Sequence, residues 1–127
     1  FVKEYAKLFG SSLVLYHAVS PVGAYPGFET ANAQVVGELL EDMQKEGAEM
    51  LSQTAERLKA EGFTAETAVS IELAADGILN AAEQSKAELI AIGTHGRSGV
   101  TRTVLGSVAN AVLRRSTLPV LLIHPAS

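Results

Sequence analysis

The sequence predicts an α/β fold with a parallel sheet and helices on both faces. Three observations carry this. Short apolar runs alternate strictly with segments of helical period, in the order helix, strand, helix, strand, helix, strand, helix, strand; such alternation implies parallel strands joined by helical crossovers. Glycine or proline punctuates the segment ends. A buried strand near the C-terminus also runs straight into a glycine-rich stretch that opens a helix, the arrangement by which open α/β sheets bind ligands.

Phe1–Phe9 reads as the end of an amphipathic helix, with Val2, Tyr5 and Leu8 on one face and Gly10 as its stop. Leu13–Val19 (LVLYHAV) reads as a buried strand, and Ser20–Thr30, with Pro21, Gly23, Pro26 and Gly27, as a loop. From about Ala31 to Glu61 the period is helical. Val36, Leu39, Leu40, Met43, Met50, Leu51, Ala55 and Leu58 form the buried stripe, charged residues cover the other face, and Gly62 ends the helix. Phe63–Ser70 is a weaker strand rich in threonine. Asp76 is expected to cap a short helix reaching Ser85, with Ile78, Leu79 and Ala82 inward. Leu89–Ile92 reads as a strand, Val100–Ser116 as mostly helix with Pro119 beyond it, and Val120–Ile123 as the last strand.

The chain has 127 residues, of which 47% are hydrophobic and 19% charged, enough to bury the core of one domain. No apolar run has the length to cross a bilayer, and no signal-peptide pattern stands at Phe1. Cysteine is absent, which excludes disulfides, thiolate metal sites and a cysteine nucleophile, and fits a reducing cytoplasm. The net charge of -4 is unevenly spread. All 14 acidic residues lie at or before Glu88, while Arg97, Arg102, Arg114 and Arg115 follow with no acid among them. That field favours a small anion; a nucleic-acid binder would carry more basic charge in total. Taken alone, the split favours the plainer reading, a chance excess of arginine on a solvated helix face.

The informative stretch is LIAIGTHGRSGVTRTVLGSVANAVLRR. Gly93, Gly96 and Gly99 follow the strand, and Gly106-Ser107 follow near a helix start. Glycine lets backbone N–H groups approach a ligand without a Cβ in the way, and such loops form anion-binding nests. A helix start adds free N–H groups and a favourable dipole. The Ser107 hydroxyl supplies a further donor, and Arg97 a charged one for an outer phosphate. Glycines that merely turn the chain are the alternative, but strand end, loop, second Gly-Ser and basic flank agree on an anion site. The P-loop pattern is absent, with no lysine after Lys86, and the dinucleotide fingerprint does not fit either.

These residues resemble the universal stress protein family in its ATP-binding branch, whose motif is Gly, two residues, Gly, nine residues, then Gly followed by Ser or Thr. Gly93, Gly96, Gly106 and Ser107 keep that spacing, and the chain follows the family's element order from first helix to last strand. The resemblance implies an open five-stranded parallel sheet of the adenine nucleotide alpha hydrolase-like type. It implies one domain over residues 1–127 that lacks the family's N-terminal strand, the middle strand of that sheet, and with it an Asp contact to the nucleoside. It further implies that Gly93, His95 and Gly96 wrap ribose and phosphates, and that Gly106, Ser107 and Val108 hold phosphates. The backbone at Ala18 would recognise adenine, and Ile92 would border the nucleoside. The ligand would be ATP, or ADP or AMP, with Mg2+, and the chain would form a homodimer through Val120–Ile123. The family's Gly-x-Pro before the third helix is replaced by Leu73-Ala74-Ala75-Asp76.

His17, His95 and His124 stand in three separate segments, weak support for a metal cluster. No Gly-x-Ser-x-Gly elbow occurs, Ser98 has no evident acid partner, and the glycine loop carries no carboxylate to orient water. The sequence therefore favours a nucleotide-binding regulatory module. A dimerising interaction module of the same fold with an empty site, and a weak ATPase, are the competing readings.

Overall fold

The computed structural model describes residues 2–21, 32–94 and 105–124. The chain divides into two compact units, Phe1–Gly77 and Ile78–Ser127. His95, Gly96, Arg97, Ser98 and Gly99 lie outside the described residues, as does most of the loop read at Ser20–Thr30.

In the first unit, helix α1 spans Val2–Phe9 and strand β1 Leu13–Val19. Helix α2, Ala33–Ala60, carries the chain across to strand β2, Ala65–Ile71, which pairs with β1 in parallel from Leu13 opposite Ala65 to Val19 opposite Ile71. The glycine stops act as expected. Gly10 and Gly62 take positive φ (62° and 94°), where a Cβ would be strained, and let the chain fold back onto its own carbonyls. Ser11 N–H bonds Ala6 O at 3.0 Å, and Phe63 N–H bonds Leu58 O at 3.0 Å. At the other end of α2, the Asn32 side chain accepts from Gln34 N–H at 2.7 Å.

The stripe of α2 is buried most completely in its C-terminal half, at Gly47, Leu51, Ala55 and Leu58. Ala55, Leu58 and Ala65 form the core, with Leu13, Leu15 and Phe63 packed on it. Met50 departs from the expected stripe and is 41% exposed. Gly47, Leu51, Ala55 and Leu58 repeat every three or four residues, and that line leaves Met50 at its margin. Leu13, Leu15 and His17 share one face of β1 by alternation, toward α2. The His17 ring lies so close over Gly47 that an added Cβ would sit 2.7 Å from its Cδ2. Alanine is the better helix former by about 1 kcal/mol, yet overpacking costs about 1–3 kcal/mol. Gly47→Ala is therefore expected to lower stability by about 1 kcal/mol in chemical denaturation.

Helix α3, Ala74–Gln84, begins in the first unit and ends in the second. Asp76 is not its cap, as the sequence suggested, but the third residue of its first turn. The two alanines before it are strong helix formers and extend the helix backwards, where the acid still meets the positive end of the dipole. Gly77 lies against Tyr16, on the face of β1 opposite His17, so helices cover both faces of the β1–β2 pair.

In the second unit, strand β3, Ile90–Gly93, pairs in parallel with strand β4, Val120–Ile123, and helix α4, Ser107–Arg115, lies between them in sequence. β3 begins and ends one residue later than expected, which brings Gly93 into the strand. The described strands thus form two parallel pairs, β1–β2 and β3–β4, rather than one continuous sheet. Val112 is fully buried and Ala109 is 2% exposed, giving α4 its inward side.

The end of α3 carries an unusual residue. Lys86 has φ 56°, and its neighbours close the helix by the bonds Lys86 N–H to Glu83 O at 3.1 Å and Ala87 N–H to Ala82 O at 2.9 Å. This is the position that glycine normally takes. Lys86→Gly is expected to stabilise the protein by about 0.5–1 kcal/mol, seen as a rise in thermal midpoint of a few degrees.

Candidate functional site

Parallel pairing directs the N–H and C=O of alternate residues to opposite edges of a strand. Ile90 N–H bonds Pro119 O, and Thr94 N–H bonds Ile123 O, both at 3.0 Å. Residues 90, 92 and 94 therefore aim their backbone groups at β4, and Ala91 and Gly93 aim theirs the other way. Gly93, at the carboxyl end of β3, is exposed. Ile92 is half-buried on the same face as Ile90 and Thr94.

Thr94 is the hinge of the site. It is 1% exposed, and its carbonyl accepts a hydrogen bond from Gly106 N–H at 2.6 Å. One bond therefore ties the exit of β3 to the entry of α4 and closes the intervening segment at its ends. Gly93 and Gly106-Ser107, separated in sequence, are brought together by it. The bond also assigns the donors: Gly106 N–H is already used. Gly106 is the N-cap of α4, with φ −58° and ψ 148° and no side-chain cap. The first intrahelical bond is Asn110 N–H to Gly106 O at 2.9 Å. The N–H groups of Ser107, Val108 and Ala109 thus have no acceptor within the helix, and they point out of its positive end. Ser107 and Val108 are exposed, Val108 by 36%. Thr94 and Ala109 were not singled out from the sequence. The signal for Ala109 is its place as third residue after the cap; Thr94 has none beyond following an apolar strand.

Ala18 lies in the first unit. Leu13 N–H bonds Thr64 O at 2.8 Å and Glu72 N–H bonds Val19 O at 3.0 Å, so the odd-numbered residues of β1 face β2. The N–H and C=O of Ala18 point to the other edge, and its Cα partner across the pair is Ser70. Close by, the Tyr16 hydroxyl meets Ser70 Oγ, and Ser70 Oγ donates to Glu72 Oε2 at 2.7 Å. Burial raises the Tyr16 hydroxyl above the ordinary tyrosine range; the Ser70 hydrogen bond pulls the other way and the Glu72 carboxylate pushes up again.

A cavity of about 550 Å³ in the second unit opens between residues such as Leu79, Lys86, Ile90, Arg115 and Leu118. It lies at the starting ends of β3 and β4, away from Gly93, and no candidate residue lines it. Among the described residues no group of three histidines or carboxylates could hold a metal ion. No described helix is long and apolar enough to cross a membrane. His124 is exposed.

Parallel strand pairs joined by helices define an α/β protein. The model of the universal stress protein family matches residues 1–124, and the chain belongs to that family. The universal stress protein YxiE of Bacillus subtilis is 32% identical over 107 residues, 84% of this chain and 72% of that protein. The solved structure of MJ0577, a universal stress protein of Methanocaldococcus jannaschii, superposes with a TM-score of 0.82 over 98% of this chain and 85% of its own. At 20% identity that likeness shows the fold. A universal stress protein solved in complex with cAMP superposes with a TM-score of 0.59 at 24% identity, covering 95% of this chain and 79% of that one.

Proposed function

We propose that this chain is an adenine-nucleotide-binding regulatory protein of the ATP-binding branch, with ATP the foremost ligand and ADP and AMP its relatives. The observation that carries the reading is the Thr94–Gly106 bond, which sets glycine-lined strand end and uncapped helix start side by side. The N–H groups of Ser107, Val108 and Ala109 and the Ser107 hydroxyl form a donor set suited to a phosphate chain. The complex of a family relative with cAMP supports the same ligand class. The reading assigns His95, Gly96 and Arg97 to ribose and phosphate contacts, Ile92 to the nucleoside and the backbone of Ala18 to the base.

Residues 89–127 contain no carboxylate, so this segment offers Mg2+ no anionic ligand. Magnesium accompanying the nucleotide would be held by phosphate oxygens and water. For the same reason the reading is of a binder that responds to nucleotide occupancy, in the cytoplasm, rather than of an efficient ATPase.

A second copy of the chain is assigned to the edge of β4 that, among the described residues, pairs with no strand. Leu121 and Ile123 direct their backbone groups toward β3, leaving those of Val120 and Leu122 on the other edge. Calorimetric titration with magnesium ATP tests the nucleotide reading: saturable binding supports it. An absence of binding up to millimolar ATP by the folded protein would favour the dimerising module instead, with light scattering reporting the dimer.

A further inference from the structure

We propose that the cavity at the starting ends of β3 and β4 is a second binding site, for a small aliphatic carboxylate. Nucleotide binding at the other end of β3 is not needed for it. At about 550 Å³ the cavity falls within the range of small-molecule pockets, about 300–1,000 Å³. It lies wholly within the second unit, between the end of α3, the start of β3 and the turn from α4 to β4.

Its wall and its rim differ in chemistry. Leu79, Ala82, Ala87, Ile90 and Leu118, all buried or half-buried, make an aliphatic wall. The wall is held in shape: Ile90 N–H bonds Pro119 O at 3.0 Å, and the Ser116 hydroxyl accepts from Leu118 N–H at 2.9 Å. The exposed rim sets two cations, Lys86 and Arg115, against one carboxylate, Glu83, among the described residues. An apolar body with a single negative charge matches both parts. A phosphate chain does not, because its several charges exceed those of the rim and an aliphatic wall offers it no donors.

Lys86 gives the strongest sign of function. Its φ of 56° lies in the region that glycine favours, where a lysine costs stability. Closing α3 does not require it. The last carbonyls are taken by backbone donors, Ala81 O by Ser85 N–H, Ala82 O by Ala87 N–H and Glu83 O by Lys86 N–H, a bond that glycine would also make. A cation to complement the helix dipole could stand at Gln84 or Ser85 without strain. What a lysine at position 86 adds is a charge on the rim of the cavity. Strain kept in this way points to function held at the expense of stability.

The test titrates the full chain, without nucleotide, with octanoate, octylammonium and acetate, followed by nitrogen–proton correlation spectra. Octanoate is expected to shift the amides of Ala82, Ala87, Ile90 and Leu118 saturably, and octylammonium and acetate are not. Lys86→Gly, and Lys86→Asn, which tolerates the same φ, should weaken octanoate binding about fivefold or more, and Lys86→Arg, which keeps the charge, should stay within about twofold. Thermal melts confirm that the variants are folded. Lys86→Gly separates the two roles of the residue, since removing a merely structural lysine would leave octanoate binding unchanged. Octanoate that fails to saturate those amides at millimolar concentration, that is matched by octylammonium or acetate, or that binds the folded Lys86→Gly and Lys86→Asn proteins as tightly as wild type would overturn the inference. The nucleotide reading stands or falls separately, on the amides of Ser107, Val108 and Ala109.

Discussion

Replacing Gly106 and Ser107 together by valine is expected to weaken ATP binding by about 100-fold or more, roughly 2.8 kcal/mol. The loss follows from what each position does. Ser107 contributes a hydroxyl donor and the first N–H of α4; valine removes the hydroxyl and sets a branched side chain beside the donors of the first turn. Gly106 presents no side chain at the helix mouth, and a valine there occupies space a phosphate would take. The scaffold should survive. The extended backbone of Gly106, at φ −58° and ψ 148°, suits an L-residue. Valine also keeps the N–H that bonds Thr94 O. Calorimetry beside a thermal melt reads both quantities. A variant that binds ATP as tightly as wild type would show that α4 does not hold the phosphates.

Gly77→Ala is expected to destabilise the fold by about 2 kcal/mol and lower the thermal midpoint by about 4–10 °C. Helix propensity argues the opposite, since alanine at an interior helical position is worth about 1 kcal/mol over glycine. Sterics outweigh it. Gly77 is buried, and an added Cβ would overlap the Tyr16 hydroxyl and lie 3.1 Å from Cζ and 3.4 Å from Glu72 Cβ. A tyrosine ring on a strand cannot swing its hydroxyl aside without moving whole. Relief therefore requires breaking the Tyr16–Ser70 hydrogen bond, which adds about 1 kcal/mol to the overpacking cost. The pair Gly77→Ala with Tyr16→Phe should recover part of the loss, because the overlapping oxygen is gone. A Gly77→Ala protein as stable as wild type would contradict this packing.

Local chemistry was legible where it alone decides the structure. Leu13–Val19 and Val120–Ile123 are strands with the bounds their apolar runs suggest, and Gly10 and Gly62 end helices because they tolerate positive φ. Legibility failed where a preference was overridden by neighbours. Asp76 has the chemistry of a cap, yet Ala74 and Ala75 carry the helix past it. Met50 has the period of the stripe, yet the buried line runs through Gly47 and Leu51. Gly47 itself was invisible as a core position, because its reason is the His17 ring on another element.

The candidate site divides in the same way. Spacing pointed to Gly93, Gly106 and Ser107, since glycine at a strand end and Gly-Ser at a helix start each have a local rationale. That Gly106 N–H is consumed by Thr94, moving the donor set on to Ser107, Val108 and Ala109, depends on where two distant backbones meet. The hydroxyl chain from Tyr16 to Ser70 joins residues 54 apart and follows from the register of β1 on β2, which periodicity cannot supply.

The most direct test of the central claim is a nitrogen–proton correlation spectrum of the protein titrated with magnesium ATP. The amide signals of Ser107, Val108 and Ala109 are expected to shift downfield and saturate together, while Gly106, whose N–H stays on Thr94, moves least among the four. ATP binding that leaves those three amides in place, or shifts signals only elsewhere in the chain, would contradict the assignment of the phosphates to the start of α4.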